Sequence, residues 1–486
     1  MGDLRFKFSG ASGMDPRVWN TAYITGIEGI PWQCHHHVSG DQFSIGREID
    51  ESGKLNIVWP TRGSGNICLS TTSLRVTPEP YSLIVEIARG TISRLKNQTS
   101  EWQRVGLKLP EGFFPLAEES LSQFLHAVTA GDDDRRKNAC AQAAIDLAME
   151  ASVLLCNAFA LQALEARRQS EGRQSTLLGV ALRTEIELTS IGGAVDTAFN
   201  LVQISPDLGS VESASGKRNF APYDTQLEWA TSLNKKVCIG PLVNFRKGSL
   251  PQWMILLNEE FDSVLDAACI HARTTVERYL GRTHIWNCAA GLNAPTELGW
   301  TDEEVLRMAV SLIETVRRAD HRNPVLLTID QPWSEYLRND ANGISPLHFA
   351  DALIRADLGL SGLALELNFD QWPDGSFPRD PIDLSRLIDR WAMLGLPLLV
   401  IVTSPTETNM EADRVSSWRT EYGQGVIDPD MILKLLISKP SVHAVIWNHL
   451  TDQVPQPTAG SGLWDMRGKA KPLLSQLAQL RKNYLH

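Results

Sequence analysis

Short stretches in which apolar and polar positions alternate fill the first part of the chain, residues 1–112. They lie at 43–49, 55–59, 66–70 and 81–87 and are separated by breaks that contain Gly or Pro. Alternation with a period of two indicates a half-buried strand, and short strands at this spacing are typical of a β-sandwich. The pattern therefore predicts a β-sandwich-like N-terminal domain.

The spacing of apolar residues becomes helical in residues 113–172. Segments 117–128 and 137–168 are rich in Ala and Leu, and the polar run 131–134 separates them. Two helical segments joined by a short polar turn are typical of a helical hairpin. We therefore predict a helical region between the first domain and the rest of the chain.

From residue 173 to residue 486, short apolar runs alternate with amphipathic, helix-like stretches such as 259–279, 302–318 and 381–394. Eight such units over roughly 300 residues predict an α/β fold, the (β/α)₈ or TIM barrel. A doubly wound open sheet is the alternative, but no Gly-rich phosphate loop follows the first run. The eight runs lie at 177–183, 199–204, 236–243, 283–289, 325–330, 363–369, 396–404 and 444–450.

Composition places the chain among globular proteins. Apolar residues make up 43% and charged residues 21% of its 486 residues, and the net charge is −11. Phosphate binding needs clustered Lys and Arg, so an acidic chain without a basic stripe argues against a nucleic-acid partner. A neutral or weakly charged ligand fits better. No apolar run approaches the ~18 residues of a membrane span, and no apolar leader follows Met1; both observations predict a cytoplasmic protein without a membrane partner.

The cysteine and histidine positions predict neither a metal site nor a cofactor. The 7 cysteines are scattered, and their odd number favours reduced thiols. Adjacent residues cannot all face one ion, so the run Cys34-His35-His36-His37 fits a polar strand or loop edge better than a zinc site. For Cys288, no cationic neighbour that would activate a nucleophilic thiol is evident in the sequence.

Several motifs in residues 173–486 resemble those of family 10 glycoside hydrolases, the xylanase-type barrels. The run 250–253, Leu-Pro-Gln-Trp, matches a Leu-Pro-x-Trp element, and Glu212 with Gly216 matches a Glu-Pro-x-x-Gly turn. The run 462–472 is close to the closing segment of the family. The resemblance implies the family's barrel in a divergent form, similar to xylanase-like proteins of planctomycete-type bacteria. Because sandwiches beside such barrels are often sugar-binding modules, it also suggests, by analogy, a carbohydrate-binding N-terminal domain.

The residues that carry out the chemistry of this family are replaced. Retaining glycosidases use one carboxylic acid as acid/base and a second as nucleophile, about 5–5.5 Å apart. The resemblance places Gly291 at the position of the acid/base and Val402 at that of the nucleophile, and it places Gly240 and Phe245 at two sugar-contacting histidines. Glycine and valine transfer no protons, so the mechanism of the family cannot run at these positions.

Three other carboxylates are candidates for a relocated reaction. Active sites of (β/α)₈ barrels lie at the C-terminal ends of the strands, which is where Asp330, Glu335 and Glu366 fall. A carboxylate inside an apolar strand must be paired or functional, so Glu366 with Asp330 or Glu335 is the predicted catalytic pair. The alternatives are structural: Asp330 could cap a turn or pair with an arginine, and Glu366 could pair with Arg183.

Polar and aromatic residues near the same strand ends are the predicted sugar-binding residues. Trp447 matches a sugar-stacking tryptophan of the family, although core packing is an equally good interpretation. A hydrogen-bonded rim position suits His449 better than the role of a base. The predicted substrate-binding residues are Asn244, Gln331, Trp333, Asn368, Trp447, His449 and Asp452.

The sequence leaves two functions open. The chain could be a divergent glycoside hydrolase that acts on or binds β-linked glycans, with any hydrolysis carried out by relocated carboxylates. Alternatively, it could be a non-catalytic pseudo-glycosidase, a carbohydrate- or protein-binding scaffold, because acid, nucleophile and both histidines are lost together. The expected ligand is an oligosaccharide or polysaccharide, and no cofactor is expected.

Overall fold

The first part of the chain forms two small β-sheets that share one apolar core. The structure, a computed structural model, describes residues 2–8, 16–183, 187–257, 260–294, 297–339, 343–369, 375–406, 428–454 and 460–486. The strands are β1 (Gly2–Lys7), β2 (Tyr23–Thr25), β3 (His35–Ser39), β4 (Gln42–Arg47), β5 (Lys54–Thr61), β6 (Gly65–Ser70) and β7 (Tyr81–Ser82). They are ordered β3-β4-β1-β7 in one sheet and β2-β5-β6 in the other. A 3₁₀ helix, Pro16–Thr21, precedes β2.

The predicted strand at 81–87 is wrong beyond its first two residues. Only Tyr81–Ser82 pairs as a strand, and helix α1 runs from Leu83 to Arg104. The buried residues of α1 include positions 83, 87, 91 and 95, which lie one turn apart. Four of the seven residues at 81–87 are β-branched or aromatic and favour a strand locally. The longer helical stripe decides the conformation because it buries more apolar surface.

The predicted helical hairpin is present. Helix α2 (Phe113–Val128) packs along α3 (Asp134–Glu171), and α1 packs against both. The side chain of Asp133 accepts a hydrogen bond from Arg136 N (3.0 Å) and so caps the start of α3. Of the helices in the described ranges, only α3 could cross a membrane by length and composition; half of its most apolar window is buried within the fold, as in a core helix.

The rest of the chain confirms the predicted (β/α)₈ barrel. Eight parallel strands close in the order β10-β12-β14-β15-β16-β17-β8-β9, and β11 pairs with β13 beside them. The strands are β8 (Leu177–Ala181), β9 (Leu201–Ile204), β10 (Lys236–Ile239), β11 (Val243–Asn244), β12 (Ile285–Asn287), β13 (Ala289–Ala290), β14 (Val325–Ile329), β15 (Gly362–Asn368), β16 (Leu398–Thr403) and β17 (Val442–Trp447). Their near-continuous apolar composition is expected of strands covered on both faces.

The helices of the barrel begin at recognisable caps. In α10, α11 and α12 a Ser or Asp accepts a hydrogen bond from the first turn, and proline occupies the first helical position. The helices are α4 (Leu188–Ala198), α5 (Leu208–Val211), α6 (Ala221–Ser232), α7 (Gln252–Leu256), α8 (Phe261–Tyr279), α9 (Asp302–Ala319), α10 (Pro346–Arg355), α11 (Pro381–Ala392), α12 (Pro429–Ser438) and α13 (Pro472–Tyr484). A second 3₁₀ helix, Glu335–Arg338, follows β14.

Strand alternation divides the barrel side chains into an interior layer and an outer layer beneath the helices. The neighbours in sequence of the interior residues, such as Val402 and Trp447, belong to the outer core. Packed side chains fill the interior, so a ligand can reach it only at the C-terminal end of the strands. The interior cluster consists of Ala181, Leu201, Cys238, Leu326, Ala364, Leu399, Ile401, Ala444 and Ile446.

The N-terminal part is attached to the barrel at its side and at its C-terminal face. At the side, α3 packs along α12. At the face, the backbone N–H of Cys68 on β6 donates to Pro378 O (2.7 Å), and Arg94 pairs with Asp380 (3.0 Å). The residues that lead into α11, 378–380, are therefore attached to β6 and to α1.

Candidate functional site

Polar side chains line the C-terminal end of the barrel interior. Side chains two positions apart on a strand lie on the same face. Ala364 on β15 faces the interior, and Glu366 and Asn368 therefore do so as well. In the same way, Arg183 follows the interior residue Ala181 by two positions, after the end of β8. The same count on the other strands gives a ring of polar side chains above the apolar interior. This polar ring consists of Arg183, Gln203, Asn287, Thr328, Asp330, Glu366, Asn368, Thr403 and Asn448.

Hydrogen bonds between neighbouring strands fix the polar ring. Asn287 Nδ2 donates to Thr328 Oγ1 (2.7 Å), and Asn448 Nδ2 donates to Thr403 Oγ1 (3.0 Å). Gln203 Nε2 donates to the carbonyl oxygen of Gly240, the residue that follows β10 (2.8 Å). Because each pair joins adjacent strands, the ring presents amides and hydroxyls in fixed positions.

Arg246 joins two of the predicted catalytic carboxylates at this end of the barrel. Its Nε donates to Asp330 Oδ1 at 2.5 Å, and its Nη2 lies 3.2 Å from Glu366 Oε2. The side chains of Asp330 and Glu366 are 7% and 6% exposed, whereas that of Arg246 is 31% exposed. One guanidinium group therefore pairs with both carboxylates and covers them from solvent.

Asp330 also forms hydrogen bonds with neighbouring loops. Its Oδ2 accepts a hydrogen bond from Gly291 N (2.7 Å). Its own backbone N–H and carbonyl oxygen bond to the side chain of Asn293, at 2.9 Å and 2.8 Å. Both carboxylate oxygens thus hold neighbouring loops together, in agreement with the structural alternative considered for Asp330.

The charges of this cluster depend on its burial. Burial raises the pKa of Glu366, Arg246 opposes this shift, and Asp330 adds to it. Burial acts to lower the pKa of Arg246, but the two carboxylates outweigh it and leave that pKa above its ordinary value. Arg246 is therefore a permanent cation, and Glu366 holds a proton more readily than an exposed glutamate.

Glu335 lies apart from the polar ring, in a second buried cluster. Its carboxylate is 2.7 Å from Arg379 Nη2 and also accepts hydrogen bonds from Ser376 Oγ and Phe377 N, both at 3.3 Å. Arg379 also bonds to the hydroxyl group of Tyr23 on β2. Glu335 thus fastens the N-terminal sheet to the barrel, so the predicted alternative pairing of Glu366 with Glu335 does not form.

The position matched to the lost acid has a backbone that excludes side chains. Gly291 has a φ of +80°, and a Cβ built on it would lie 2.6 Å from Arg246 N. Gly240, at one histidine position, has a φ of +127°, and its Cβ would lie 2.1 Å from Asn287 O. These distances are shorter than any non-bonded carbon contact, so both loops are built around glycine.

On β16, the residue that faces the interior is one position later than the residue that the sequence resemblance matches to the nucleophile. Val402 faces the outer core, whereas Thr403 shares the interior face with Ile401. Phe245, at the second histidine position, is buried with its ring centre 5.4 Å from that of Trp300. The interior position at the end of β16 therefore holds a hydroxyl group.

Four of the predicted sugar-binding residues lie at or beside the polar ring. Asn368 belongs to the ring and is half-buried. Trp333 is half-buried, with the guanidinium of Arg379 5.0 Å from its ring centre. Asn244 Oδ1 accepts from Arg246 N (3.2 Å), and Gln331 is buried with a φ of +44°. Asn368, Trp333 and Asn244 keep surface that a ligand could contact.

The other three predicted sugar-binding residues hold the closing segment in place. Trp447 is fully buried in the outer core and donates from Nε1 to Ser461 O (2.9 Å), which removes its ring from any ligand in the barrel. His449 Nδ1 bonds to the Ser461 hydroxyl group, and Asp452 pairs with Lys471 (2.6 Å). Burial, followed by the charge of Arg183, lowers the pKa of His449 to about 3, so it is a neutral structural residue.

Sequence reasoning missed Arg246 as part of the site. The family resemblance drew attention to its neighbour, and only the fold brings the loop after β11 over β14 and β15. From the sequence, Arg183 is predicted only as a structural partner of Glu366, although a count of two residues on from Ala181 places it inside the barrel mouth. Among the described residues, no group of three His, Cys, Asp or Glu side chains is arranged to hold a metal ion.

Solved structures similar to this chain include two xylanases and a GH10 protein. Xylanase 10B from Thermotoga petrophila RKU-1, in complex with xylobiose, is 15% identical with a TM-score of 0.47, covering 67% of this chain and 97% of its own. A GH10 protein from Paenibacillus barcinonensis is 14% identical, with a TM-score of 0.48 and coverage of 67% and 98%. Xylanase B from Clostridium stercorarium F9 is 15% identical, with a TM-score of 0.46 and coverage of 65% and 98%. No protein-family model and no curated protein matches the chain.

Proposed function

We propose that this protein is a pseudo-glycosidase, a (β/α)₈ barrel that binds oligosaccharides at its C-terminal mouth without hydrolysing them. The observation that carries the proposal is the position of Arg246, which contacts both Asp330 and Glu366. The proposal joins this geometry to the family resemblance of the sequence motifs.

Arg246 is incompatible with a two-carboxylate mechanism at this site. Hydrolysis of a glycosidic bond needs an acid and a second carboxylate on either side of the reacting carbon. Here the guanidinium group occupies the space between the carboxylates, and Asp330 has both oxygens engaged. Neither carboxylate can approach a sugar without breaking the ion pairs.

The polar ring supports binding. Sugar hydroxyls are recognised by amide, hydroxyl and charged groups held in fixed positions, often beside an aromatic ring. Asn368, Asn448 and Arg246 are half-buried at the mouth, and Trp333 is half-buried after β14. An oligosaccharide could exchange hydrogen bonds with the first three and pack against Trp333.

Isothermal titration calorimetry with xylotetraose and cellotetraose tests binding. Asn368→Ala should weaken the affinity roughly tenfold through one lost hydrogen-bonding group. Asn97→Ala, on the exposed face of α1 outside the barrel, is the matched control and should leave the affinity unchanged. Absence of binding to both sugars would reject the proposal.

A reducing-end assay on the same oligosaccharides and on xylan tests hydrolysis. We expect no release of reducing ends by the protein or by Glu366→Gln. Turnover that disappears in Glu366→Gln would instead identify a glycoside hydrolase with relocated carboxylates.

A further inference from the structure

We propose that the oligosaccharide bound at the mouth carries a carboxylate group, as a hexuronic acid does, and that Arg183 and Arg246 recognise it. This inference rests on the proposed binding function and specifies its ligand class. The inference is based on two guanidinium groups that lie on different sides of the barrel mouth. Each has N–H donors that no described residue accepts.

Arg183 contributes a cation from the first wall. It follows β8, on the interior face that Ala181 defines, and its side chain is exposed. Within the described ranges it has neither an ion-pair nor a hydrogen-bond partner. Its charge acts to lower the pKa of Glu366 and of His449.

Arg246 contributes a cation from the opposite side. The closed strand order puts β14, which ends beside Asp330, four strands away from β8. Arg246 uses Nε for Asp330 and Nη2 for Glu366, while Nη1 has no hydrogen-bond partner among the described residues. With 31% of its side chain exposed, Arg246 can present Nη1 to a ligand.

The carboxylates of the ring are less accessible to a ligand than its two arginines are. Asp330 and Glu366 are both less than a tenth exposed and both face Arg246. Farther out, Lys247 and Glu297 are both exposed, and Glu297 accepts a hydrogen bond from Gly248 N (3.5 Å). The two arginines are the charged groups of the ring that remain accessible.

Guanidinium groups favour carboxylates because their planar N–H donors match the two oxygens of the anion. A carboxylate lying between Arg183 and Arg246 would receive charge-assisted hydrogen bonds from both walls. Asn368 and Asn448, on the intervening strands β15 and β17, would contact the adjoining hydroxyls. An anionic sugar thus satisfies donors that a neutral sugar would leave unused.

Calorimetry with matched ligands tests the inference. Xylotetraose is compared with xylotetraose carrying one hexuronic acid unit, at low and at high salt. The acidic sugar should bind roughly tenfold or more tightly than the neutral one, and added salt should reduce this preference. Inorganic phosphate at the same concentration should compete weakly, because it can pair with the arginines but lacks the sugar hydroxyls that would contact Asn368 and Asn448.

Two variants locate the effect. Arg183→Gln should bring the affinities for the two sugars to within about twofold, while Arg183→Lys keeps part of the preference. Arg135→Gln, an exposed arginine on α3, is the matched control and should retain the full preference.

The outcomes separate this inference from the proposed function. Equal affinity of the wild-type protein for both sugars would refute the carboxylate ligand and leave sugar binding in place. A preference that persists in Arg183→Gln, or phosphate that displaces the acidic sugar efficiently, would also overturn the inference. If neither sugar binds, the proposed function itself fails.

Discussion

Arg246 and Glu366 form an ion pair over the barrel interior, with 3.2 Å between Nη2 and Oε2, and the same guanidinium group bonds to Asp330. The pair connects the loop after β11 to the sixth strand of the barrel. It holds a charged group over strand ends at which a hydrolytic barrel would need open space. The ion pairs stabilise the fold, so removing Arg246 should lower the free energy of unfolding.

We expect Arg246→Met to lower the free energy of unfolding by about 3–5 kcal/mol, because it leaves Asp330 and Glu366 buried without a counter-ion. Urea denaturation followed by circular dichroism measures the loss. The triple variant Arg246→Met, Asp330→Asn, Glu366→Gln carries no uncompensated charge and should recover more than half of it. A loss below ~1 kcal/mol in the single variant would show that the carboxylates are solvated after all.

Glu335 and Arg379 form a second buried ion pair, where the N-terminal sheets meet the barrel. Removing one partner should lower the free energy of unfolding there too. Their side chains are 0% and 3% exposed, so Arg379→Met should cost about 3–5 kcal/mol. It should also speed proteolytic cleavage between the N-terminal sheets and the barrel. Arg355→Met breaks an exposed pair with Asp351 and should cost less than ~1 kcal/mol. Similar losses in the two variants would contradict the assigned role of the junction.

Two buried histidines should make the protein less stable in acid. Burial lowers the pKa of His449 to about 3 and that of His271 to about 4, against an ordinary value of 6.5. Between these values the unfolded chain binds protons that the native protein does not, so stability falls as the pH drops below 6.5. Glu366 opposes the trend, because its raised pKa makes protonation favour the native state.

Urea midpoints measured between pH 7 and pH 4 test this expectation. His449→Gln should flatten the decline, whereas His443→Gln, an exposed residue of β17, should leave its slope unchanged. An unaltered slope in His449→Gln would mean that the native protein accepts the proton on His449.

Gly291→Ala should destabilise the protein by more than ~2 kcal/mol. The φ of +80° alone costs an alanine about 1–2 kcal/mol, and the added carbon would lie 2.6 Å from Arg246 N. Gly281→Ala is the matched control, because its φ is +78° and nothing lies within 4 Å of the added carbon. Equal losses in both variants would show that the loop after β11 moves readily to make room for the added carbon.

The barrel could be predicted because its apolar runs and amphipathic helices are long and regular. Predicted segment 302–318, for example, is α9 (Asp302–Ala319), whose strong apolar stripe lies against the strands. The strand predicted at 81–87 failed because seven residues carry too little periodicity to distinguish a strand from the first turns of a helix.

The site was harder to predict because it depends on which way each side chain faces. A shift of one position exchanges the interior and outer faces of a strand, which is why Trp447 and Val402 turned out to be outer core. The ion-pair partners were still harder to predict. Arg246 and Glu366 are 120 positions apart in the chain, and nothing local indicates that they meet.

Gly240 and Gly291 close the positions that the sequence resemblance matches to a histidine and a glutamate. At each position, backbone atoms of a neighbouring loop lie where a Cβ would have to be placed. A single codon change that introduced histidine or glutamate there would meet a closed space. Such a side chain could be accommodated only after a loop had reopened, at a cost in stability and with no gain in turnover from the reopening itself.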